Sequence, residues 1–523
     1  MEELNQDIAA VGDEPISNFP GPWIGIDLGT TYSTCAVWDT SLSRAKVIRL
    51  DIASTPKNKA TTKHGKLVPS AILFIERILV TEQYQHAVVE LHNILSDQTK
   101  HEIVAIVGDP AMELIEHALQ SEEASSSIKE TMSEMEDSKT NTKSNYFWYI
   151  FGRSDSNSPS ETFKSSTIKQ ELKVDSIEIS KAIVTSFKRM MGKNSKDECG
   201  EDFLKHLPYE VVQKPSSGTG LSIRIHPFIS DKQTDSSLTI DILPEQLAAI
   251  LLQALRESAE RSLSSFRNKI KPPSSAPSGS SNPSNLSSKI NNVVIGVPAS
   301  YSRQQRQLIE KSARLAGFDG FVRTLSESTA AIMAYGLFTS SKAHFESTID
   351  GSYTPTKVLT VLVFDMGGGT TDVTIAKMTK TMADVPADES IQYSVVATEG
   401  DPDLGGDDVD YLLYQWFISK HSAMPDLNVR ELQRVCCHAK ELLCGDGKDE
   451  GPKDYVEIEY QNHTERLTME EFEIIIRPFL IRSERVLEDA LIAYQRKQIH
   501  SPDLAIDEVV LIGGIYKCDL RLF

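Results

Sequence analysis

Two segments of this chain carry residue types at a spacing suited to phosphate chemistry. One is Gly25-Ile26-Asp27-Leu28-Gly29-Thr30-Thr31-Tyr32-Ser33, and the other is Phe364-Asp365-Met366-Gly367-Gly368-Gly369-Thr370-Thr371-Asp372. Each runs from an apolar stretch into an aspartate, then glycine, then hydroxyl residues, then a second apolar stretch. Glycine lets the backbone approach a phosphate closely and take φ > 0. The N–H groups of such a turn and the threonine hydroxyls can donate to phosphate oxygens. Aspartates at this place suit Mg²⁺ bound through its waters, because Mg²⁺ keeps much of its hydration shell. One Asp-x-Gly-Thr is also common hairpin chemistry, whereas two copies in one chain point to a two-sided phosphate clamp. No Gly-x-x-x-x-Gly-Lys-Ser/Thr run is present, so the clamp is not a P-loop.

The elements that must hold these loops can be read around them. Ile24–Leu28 is a short apolar strand, and Val358–Asp365 is a nearly continuous apolar run, the pattern of a strand buried on both faces. Pro244–Phe266 has apolar residues at helical spacing, with Pro244 at a plausible first position. Val293–Val297 reads as a strand, Arg303–Ala316 as an amphipathic helix stopped by Gly317, and Val509–Ile512 as a strand before Gly513-Gly514. Strand and helix alternate, which predicts an α/β fold with buried sheets. Between them, residues 121–180 are rich in Ser, Glu, Lys and Thr, and 271–289 in Pro, Ser and Asn; both read as surface insertions. A third, weaker loop is read at 340–356, and 1–20 as a disordered acidic tail.

Composition narrows the function. At about 150 residues per domain, 523 residues suggest two to four folding units. Lys plus Arg number 54 against 74 Asp plus Glu, a net charge of -20, which argues against nucleic-acid or anionic-membrane partners. Met1–Pro20 lacks a basic start followed by an apolar run, and the longest apolar stretches are too short to span a bilayer. The six cysteines show no Cys-x-x-Cys pair, so neither a zinc site nor a disulfide framework is expected. The cytoplasm is the expected compartment, with the nucleus second.

The paired motifs resemble the two phosphate motifs of the actin, sugar-kinase and heat-shock ATPase superfamily. Further segments resemble its seventy-kilodalton heat-shock chaperone branch. These are Val297-Pro298-Ala299 before Gln305-Arg306-Gln307, Leu325-Ser326-Glu327-Ser328-Thr329-Ala330-Ala331 before Ala334-Tyr335-Gly336-Leu337, Gly400-Asp401-Pro402-Asp403-Leu404-Gly405-Gly406-Asp407-Asp408-Val409-Asp410, and Phe187-Lys188-Arg189-Met190-Met191-Gly192-Lys193. The match runs from about Trp23 to Gly514. The resemblance implies a two-lobed, actin-like (ribonuclease-H-like) ATPase fold with ATP or ADP and Mg²⁺ in an interlobe cleft. Lobe I would cover 21–345 (subdomains IA and IB) and lobe II 355–523 (IIA and IIB). It implies Asp27, Glu327, Asp365 and Asp372 as catalytic acids, with Asp27 and Asp365 on hydrated Mg²⁺. Gly29, Thr30, Thr31, Tyr32, Gly367, Gly368, Gly369, Thr370, Gly405, Gly406, Lys440, Gly513 and Gly514 would bind the nucleotide.

Three departures from that pattern shape the expected function. The family's catalytic lysine is matched here to Met112 of Val107-Gly108-Asp109-Pro110-Ala111-Met112, and a thioether supplies no cation; removing one such contact costs on the order of 10²–10³ in rate. Lys63 or Lys66 would be the substitute if that register is displaced. In the family's adenine-cradling helix, Lys440 is kept, but Cys437, Glu441 and Cys444 replace an acid, a base-stacking arginine and a serine, which predicts weakened nucleotide affinity. After Gly514 the sequence ends in nine residues, Ile515–Phe523, so no client-clamping domain is expected. Pro298, Arg306 and Arg323 match positions that relay nucleotide state and dock J-domain co-chaperones. The expectation is an ATP-binding chaperone or co-chaperone partner in protein folding and stress response, with slow or impaired hydrolysis. J-domain and nucleotide-exchange partners are implied. The alternatives are an active ATPase shortened by splicing or gene prediction, a small-molecule kinase of the same superfold, and a filament-forming actin-like protein.

Overall fold

The computed structural model describes residues 22–39, 44–53, 66–80, 82–92, 94–95, 102–114, 181–200, 203–204, 207–213, 220–229, 238–267, 289–339, 356–381, 391–421, 424, 427–445, 453–497 and 505–514. The tail at 1–20, the insertion at 121–180, residues 271–288 and the stretch after Gly514 lie outside them, as does Lys63.

Two sheets of similar design organise the chain. In the first, β1 (Trp23–Leu28) pairs antiparallel with β2 (Tyr32–Asp39), which in turn pairs with β3 (Arg44–Val47) and β4 (Val68–Pro69). The smaller strands β5 (Ile72–Glu76), β6 (Val88–Val89), β7 (Ile103–Val107) and β8 (Ile183–Val184) form a second sheet, in the order β6-β7-β5-β8. A third holds β9 (Glu210–Gln213), β10 (Leu221–Ile225) and β11 (Ile240–Ile242). Helix α1 (Pro244–Arg267) follows, then β12 (Asn292–Val297), α2 (Arg303–Leu315) and β13 (Val322–Ser326). Strands β12 and β13 run parallel to β1 and complete the first sheet. The first core gathers Ile26, Leu28, Phe74, Ile106, Ile250 and Val297, all nearly inaccessible.

Helix α3 (Glu327–Thr339) crosses to the second half, where Ile332 packs with Val361, Val363 and Met378. There β14 (Thr356–Met366) is flanked antiparallel by β15 (Thr371–Thr381), with β16 (Ile391–Asp401) beyond it. Then come α4 (Gly406–Ser419), α5 (Val429–Cys444), the hairpin β17 (Tyr455–Tyr460) and β18 (His463–Thr468), α6 (Met469–Lys497) and β19 (Glu508–Gly513). Strand β19 returns parallel to β14. So β1 and β14 have the same surroundings, an antiparallel hairpin partner on one side and a parallel strand on the other. The two phosphate-type loops leave equivalent ends of equivalent strands.

The expected elements occur with ends moved by one or two residues. Ser302 and Gln305 form a reciprocal capping box that starts α2. The expectation of burial on both faces needs correction at two places. Val358 is 47% exposed, and on β19 Val509 and Leu511 are 59% and 41% exposed while Val510 and Ile512 pack towards the core under α3. β19 therefore alternates, because among the described residues only one of its faces is covered. No described helix is long and apolar enough to cross a membrane.

Candidate active site

The four candidate acids are set by strand register. Asp27 is the penultimate residue of β1, opposite Gly296 of β12, and Glu327 follows β13 directly. A Cβ on Gly296 would sit 3.4 Å from Glu327 Cγ and 3.7 Å from Asp27 Cα, so this glycine lies between the two acids. Asp365 and Asp372 are direct cross-strand partners on β14 and β15. Asp372 is buried and accepts the Ser300 N–H at 3.0 Å. Asp27 keeps a solvent-exposed side although protein crowds its carboxyl group.

Crowding these carboxylates raises their affinity for protons. Burial, then repulsion from Glu327, pushes Asp27 up to about 6, against the pull of Lys188. Burial, followed by Glu327, Asp372 and Asp27, pushes Asp365 up to about 8. Burial and Glu327 hold Asp372 at about 6, with the Ser300 hydrogen bonds opposing. Such an excess of acceptors is what a divalent cation relieves. Asp27 and Asp365 fit Mg²⁺ as an all-oxygen, hard-ligand pair. Such an ion, when bound, would supply positive charge against phosphate oxygens.

Sequence reasoning missed the cation of this cluster. Lys188 Nζ lies 2.9 Å from Glu327 Oε1, with its side chain 4% exposed, and its charge opposes the rise at Asp27, Asp365 and Asp372 alike. It stands in a 3-10 turn, Phe187–Met190, whose four residues are all buried. The buried Tyr301 hydroxyl donates to the Lys188 carbonyl at 3.0 Å and braces that turn. The Met112 N–H closes the turn on Gly108 O at 3.3 Å, and its side chain is partly buried against the lobe I core. Gly108 there has φ +81, so Val107-Gly108-Asp109 is legible as a turn alone. Lys66 is exposed, and its carbonyl accepts from Thr34. The acid cluster thus holds one buried ammonium, supplied from a segment other than the one that carries Met112.

The two loops face each other. A Cβ on Gly368 would overlap the Thr31 hydroxyl, and one on Gly369 would come within 2.8 Å of Thr30 Cγ2. Only glycine lets the loops approach this closely. The first loop is pinned by Ser70, whose hydroxyl donates to Gly29 O at 2.8 Å and whose N–H donates to Thr31 O at 2.8 Å. The second is tied to the start of α4: Gly406 N–H donates to Gly367 O at 3.0 Å and Asp407 N–H to Gly368 O at 2.7 Å, while Gly367 N–H donates to Thr370 O. A side chain at Gly405 would strike Gly368 and Gly369. Gly513, with φ +101, lies against the Met366 carbonyl, so Gly513-Gly514 borders the second loop.

Further contacts cross the cleft. The Asp407 carboxylate accepts from Thr31 at 3.3 Å and Ser186 at 2.8 Å. Arg189 reaches Asp408 at 3.1 Å and Asp403 at 3.7 Å, and Lys193 reaches Asp403 at 2.9 Å. Lys440 is buried, bonded to Asp410 at 2.6 Å and to Gly406 O at 3.2 Å. It therefore anchors α5 to the start of α4. Tyr32, 49% exposed, stands at the rim. The structure thus brings Asp27, Glu327, Asp365, Asp372, Gly29, Thr30, Thr31, Gly367, Gly368, Gly369 and Thr370 together, with Gly405, Gly406 and Lys440 adjoining.

Comparison with known proteins gives this geometry a family. The profile described as Hsp70 protein matches residues 163–270 and 280–518, more than half of the chain. Proteins called "Chaperone protein HscA homolog" are similar. The one from Azotobacter vinelandii is 30% identical over 340 residues, and that from Pseudomonas putida 29% over 339; each match covers 63% of this chain and 41% of the relative. The chain thus spans well under half the length of these relatives. A profile match on this scale, over a chain whose two equivalent sheets close Asp-x-Gly-Thr loops upon each other, is decisive: the chain belongs to the Hsp70 family and has its two-lobed, actin-like ATPase fold.

Proposed function

We propose that this chain binds Mg·ATP in the interlobe cleft, hydrolyses it slowly, and serves a protein-folding system as a chaperone or chaperone partner. The observation that carries the reading is the Lys188–Glu327 pair within the acid cluster. Catalysis of phosphoryl transfer is mostly positioning and charge stabilisation. Thr30, Thr31 and the N–H groups of 367–370 would hold phosphate oxygens. The Lys188 ammonium would face developing negative charge, and Asp27, Asp365, Glu327 and Asp372 would hold the cation and orient water. The altered face of α5 (Cys437, Glu441, Cys444) supports weakened nucleotide affinity as part of the proposal.

Partners belong to the same proposal. Arg306 donates to the Tyr301 and Ala299 carbonyls, on either side of Ser300, which holds Asp372. That path runs from an acid of the site to the surface and supports a role in relaying nucleotide state to a J-domain co-chaperone or an exchange factor, with exposed Arg323 as a docking residue. Free thiols at Cys35, Cys199, Cys436, Cys437 and Cys444 support a reducing compartment, cytosol or nucleus.

The test is Mg·ATP binding by calorimetry together with single-turnover hydrolysis. Binding with slow turnover is expected. Binding without turnover would favour the second reading, a nucleotide-gated partner, for which the altered α5 face also speaks. Phosphate transfer to a small-molecule alcohol would favour a kinase, and absence of binding would overturn all of them.

A further inference from the structure

Ser186 stands directly before the turn that carries Lys188, and it departs from ordinary serine chemistry twice. Its backbone is left-handed, with φ 55 and ψ 16; among the described residues, Gln461 is the one other non-glycine with positive φ. That conformation crowds Cβ against the carbonyl and is uncommon outside glycine, asparagine and aspartate. A serine ahead of a helical turn is ordinarily extended, and its hydroxyl accepts from an N–H of the first turn. Ser186 makes no such cap. Its hydroxyl donates across the cleft instead, to Asp407 Oδ2 at 2.8 Å.

The chain around Ser186 is tied to both lobes. Before it, the Ile183 carbonyl accepts from Arg430 at 3.1 Å, and after it Arg189 meets Asp408 at 3.1 Å. Asp407 and Asp408 open α4 and Arg430 lies on α5, all in lobe II. Lys188 itself is held within lobe I, by Glu327 on its ammonium and by the Tyr301 hydroxyl on its carbonyl. One buried residue, Phe187, separates it from Ser186. A change of φ at Ser186 reorients the turn that follows. A disfavoured backbone conformation persists where its surroundings over-determine it, and such positions cluster at functional sites. Here part of those surroundings is a charge-assisted bond from the opposite lobe.

On the reading of the cleft as a Mg·ATP site, we propose that Ser186 is a positioning residue, which aims the Lys188 ammonium while Asp407 of lobe II holds its hydroxyl. With the lobes together, that bond supports the left-handed backbone and the ammonium stays in the acid cluster. With the lobes apart, the bond is lost, the backbone relaxes and the ammonium loses its fixed aim. Hydrolysis is thereby tied to closure through a residue that touches no phosphate. Making the turn does not by itself account for a serine: glycine makes the same turn without steric cost, and without the bond.

Single-turnover hydrolysis and the dissociation constant of Mg·ATP, measured separately on the full chain, test this in Ser186→Gly, in Asp407→Ala and in the two combined. Glycine keeps the left-handed backbone and removes the bond. The hydrolysis rate of Ser186→Gly should fall about 10- to 100-fold, the worth of one hydrogen bond to a charged group. Its affinity should stay within about 3-fold of wild type, the mark of an interaction that acts on the rate, and its melting point within about 4 °C. Since both variants cut one bond, the combined variant should be no slower than the slower of the two. A Ser186→Gly chain that turns over like wild type overturns the proposal, and so does one whose loss adds in full to that of Asp407→Ala. An affinity that falls as far as the rate would assign the bond to binding, and loss of cooperative melting would assign Ser186 to folding; either overturns it. Wild type that binds Mg·ATP without turnover overturns it as well, because nothing is then aimed. Absence of Mg·ATP binding to wild type instead brings down the nucleotide reading on which it rests.

Discussion

Replacing Lys188 by Met removes an ammonium and keeps most of the side-chain volume. In the fold that ammonium is 4% exposed, 2.9 Å from Glu327, and offsets the crowding of Asp27, Asp365 and Asp372. Losing one fixed charge that faces a transition state costs about 10²–10³ in rate, or about 2.7–4 kcal/mol. Stability follows a different scale. Deleting one member of a closed, buried pair costs ~3–5 kcal/mol. The Glu327 side chain is 19% exposed to cleft water and can be rehydrated, which brings the expected loss to about 1–2 kcal/mol in the ligand-free protein. The assay is single-turnover hydrolysis at saturating protein, with the dissociation constant measured separately and melting followed by circular dichroism. The hydrolysis rate should fall about 10²–10³-fold, with a much smaller change in affinity and a melting point lower by roughly 2–8 °C. Met112→Lys, run in parallel, should gain nothing, since that side chain packs against the lobe I core. A Lys188→Met protein that turns over like wild type, or a Met112→Lys protein that turns over faster, would refute the assignment of the cation.

Asp365 has a folded pKa of about 8 against 3.8 for a free carboxylate, so the folded chain holds its proton more tightly than the unfolded chain. Its contribution to stability is complete below about 4 and is lost as pH rises through about 8. Asp365→Asn should therefore stabilise the ligand-free protein at pH 8 by on the order of 1–3 kcal/mol after screening by cleft water, and hardly at pH 4; lower stability of the variant at pH 8 would contradict this. Gly368→Ala places a methyl on the Thr31 hydroxyl, an overpacking cost of about 1–3 kcal/mol. Calorimetry should find phosphate-dependent affinity reduced about 5- to 100-fold, and an unchanged constant would count against the facing-loop geometry. Arg189→Ala cuts the ties to Asp408 and Asp403. Stopped-flow release of a fluorescent nucleotide should accelerate about 10-fold or more, and an unaltered off-rate would show that these ion pairs do not hold the cleft shut.

Local chemistry explains what could be read from the chain. Asp27-Leu28-Gly29-Thr30-Thr31 and Asp365-Met366-Gly367 betray themselves because a strand end, a tight turn and a hydroxyl donor must be adjacent in sequence. Lys188 has no such neighbourhood: its partner Glu327 is 139 residues away, and only tertiary packing makes the pair. One signal could have found it. Lys188 and Arg189 interrupt an otherwise apolar run between Phe187 and Met191, and charges buried among apolar residues must be paired. The Val107-Gly108-Asp109 turn, with φ +81 at Gly108, is a local motif that fixes the register by which Met112 is matched to the family's lysine. Ser70 and Ser300, which pin the first loop and Asp372, leave little sequence signal, since a lone serine whose partner is brought to it by the fold looks like any other serine in the chain.

The cross-cleft contacts bear on how binding and motion are linked. Thr31 of the first loop is bonded to Asp407 of lobe II, and the glycines of the second loop close over Thr30 and Thr31. Arg189 of lobe I ends on Asp408, and Arg430 of α5 donates to the Ile183 carbonyl of β8 at 3.1 Å. On the proposed reading each lobe supplies part of the set of phosphate donors, and the pocket would be completed where the two loops meet. On that reading a phosphate oxygen between Thr31 and Gly368 would compete with the Asp407 carboxylate for the same hydroxyl; at 3.3 Å the existing bond is long and weak, so the exchange would cost little. Ser186, at 2.8 Å, keeps the displaced carboxylate satisfied. The angle between the lobes and the occupancy of the cleft are thus set by one group of residues, and a ligand that prefers the closed arrangement must shift the lobes by the difference in its affinity for the two states.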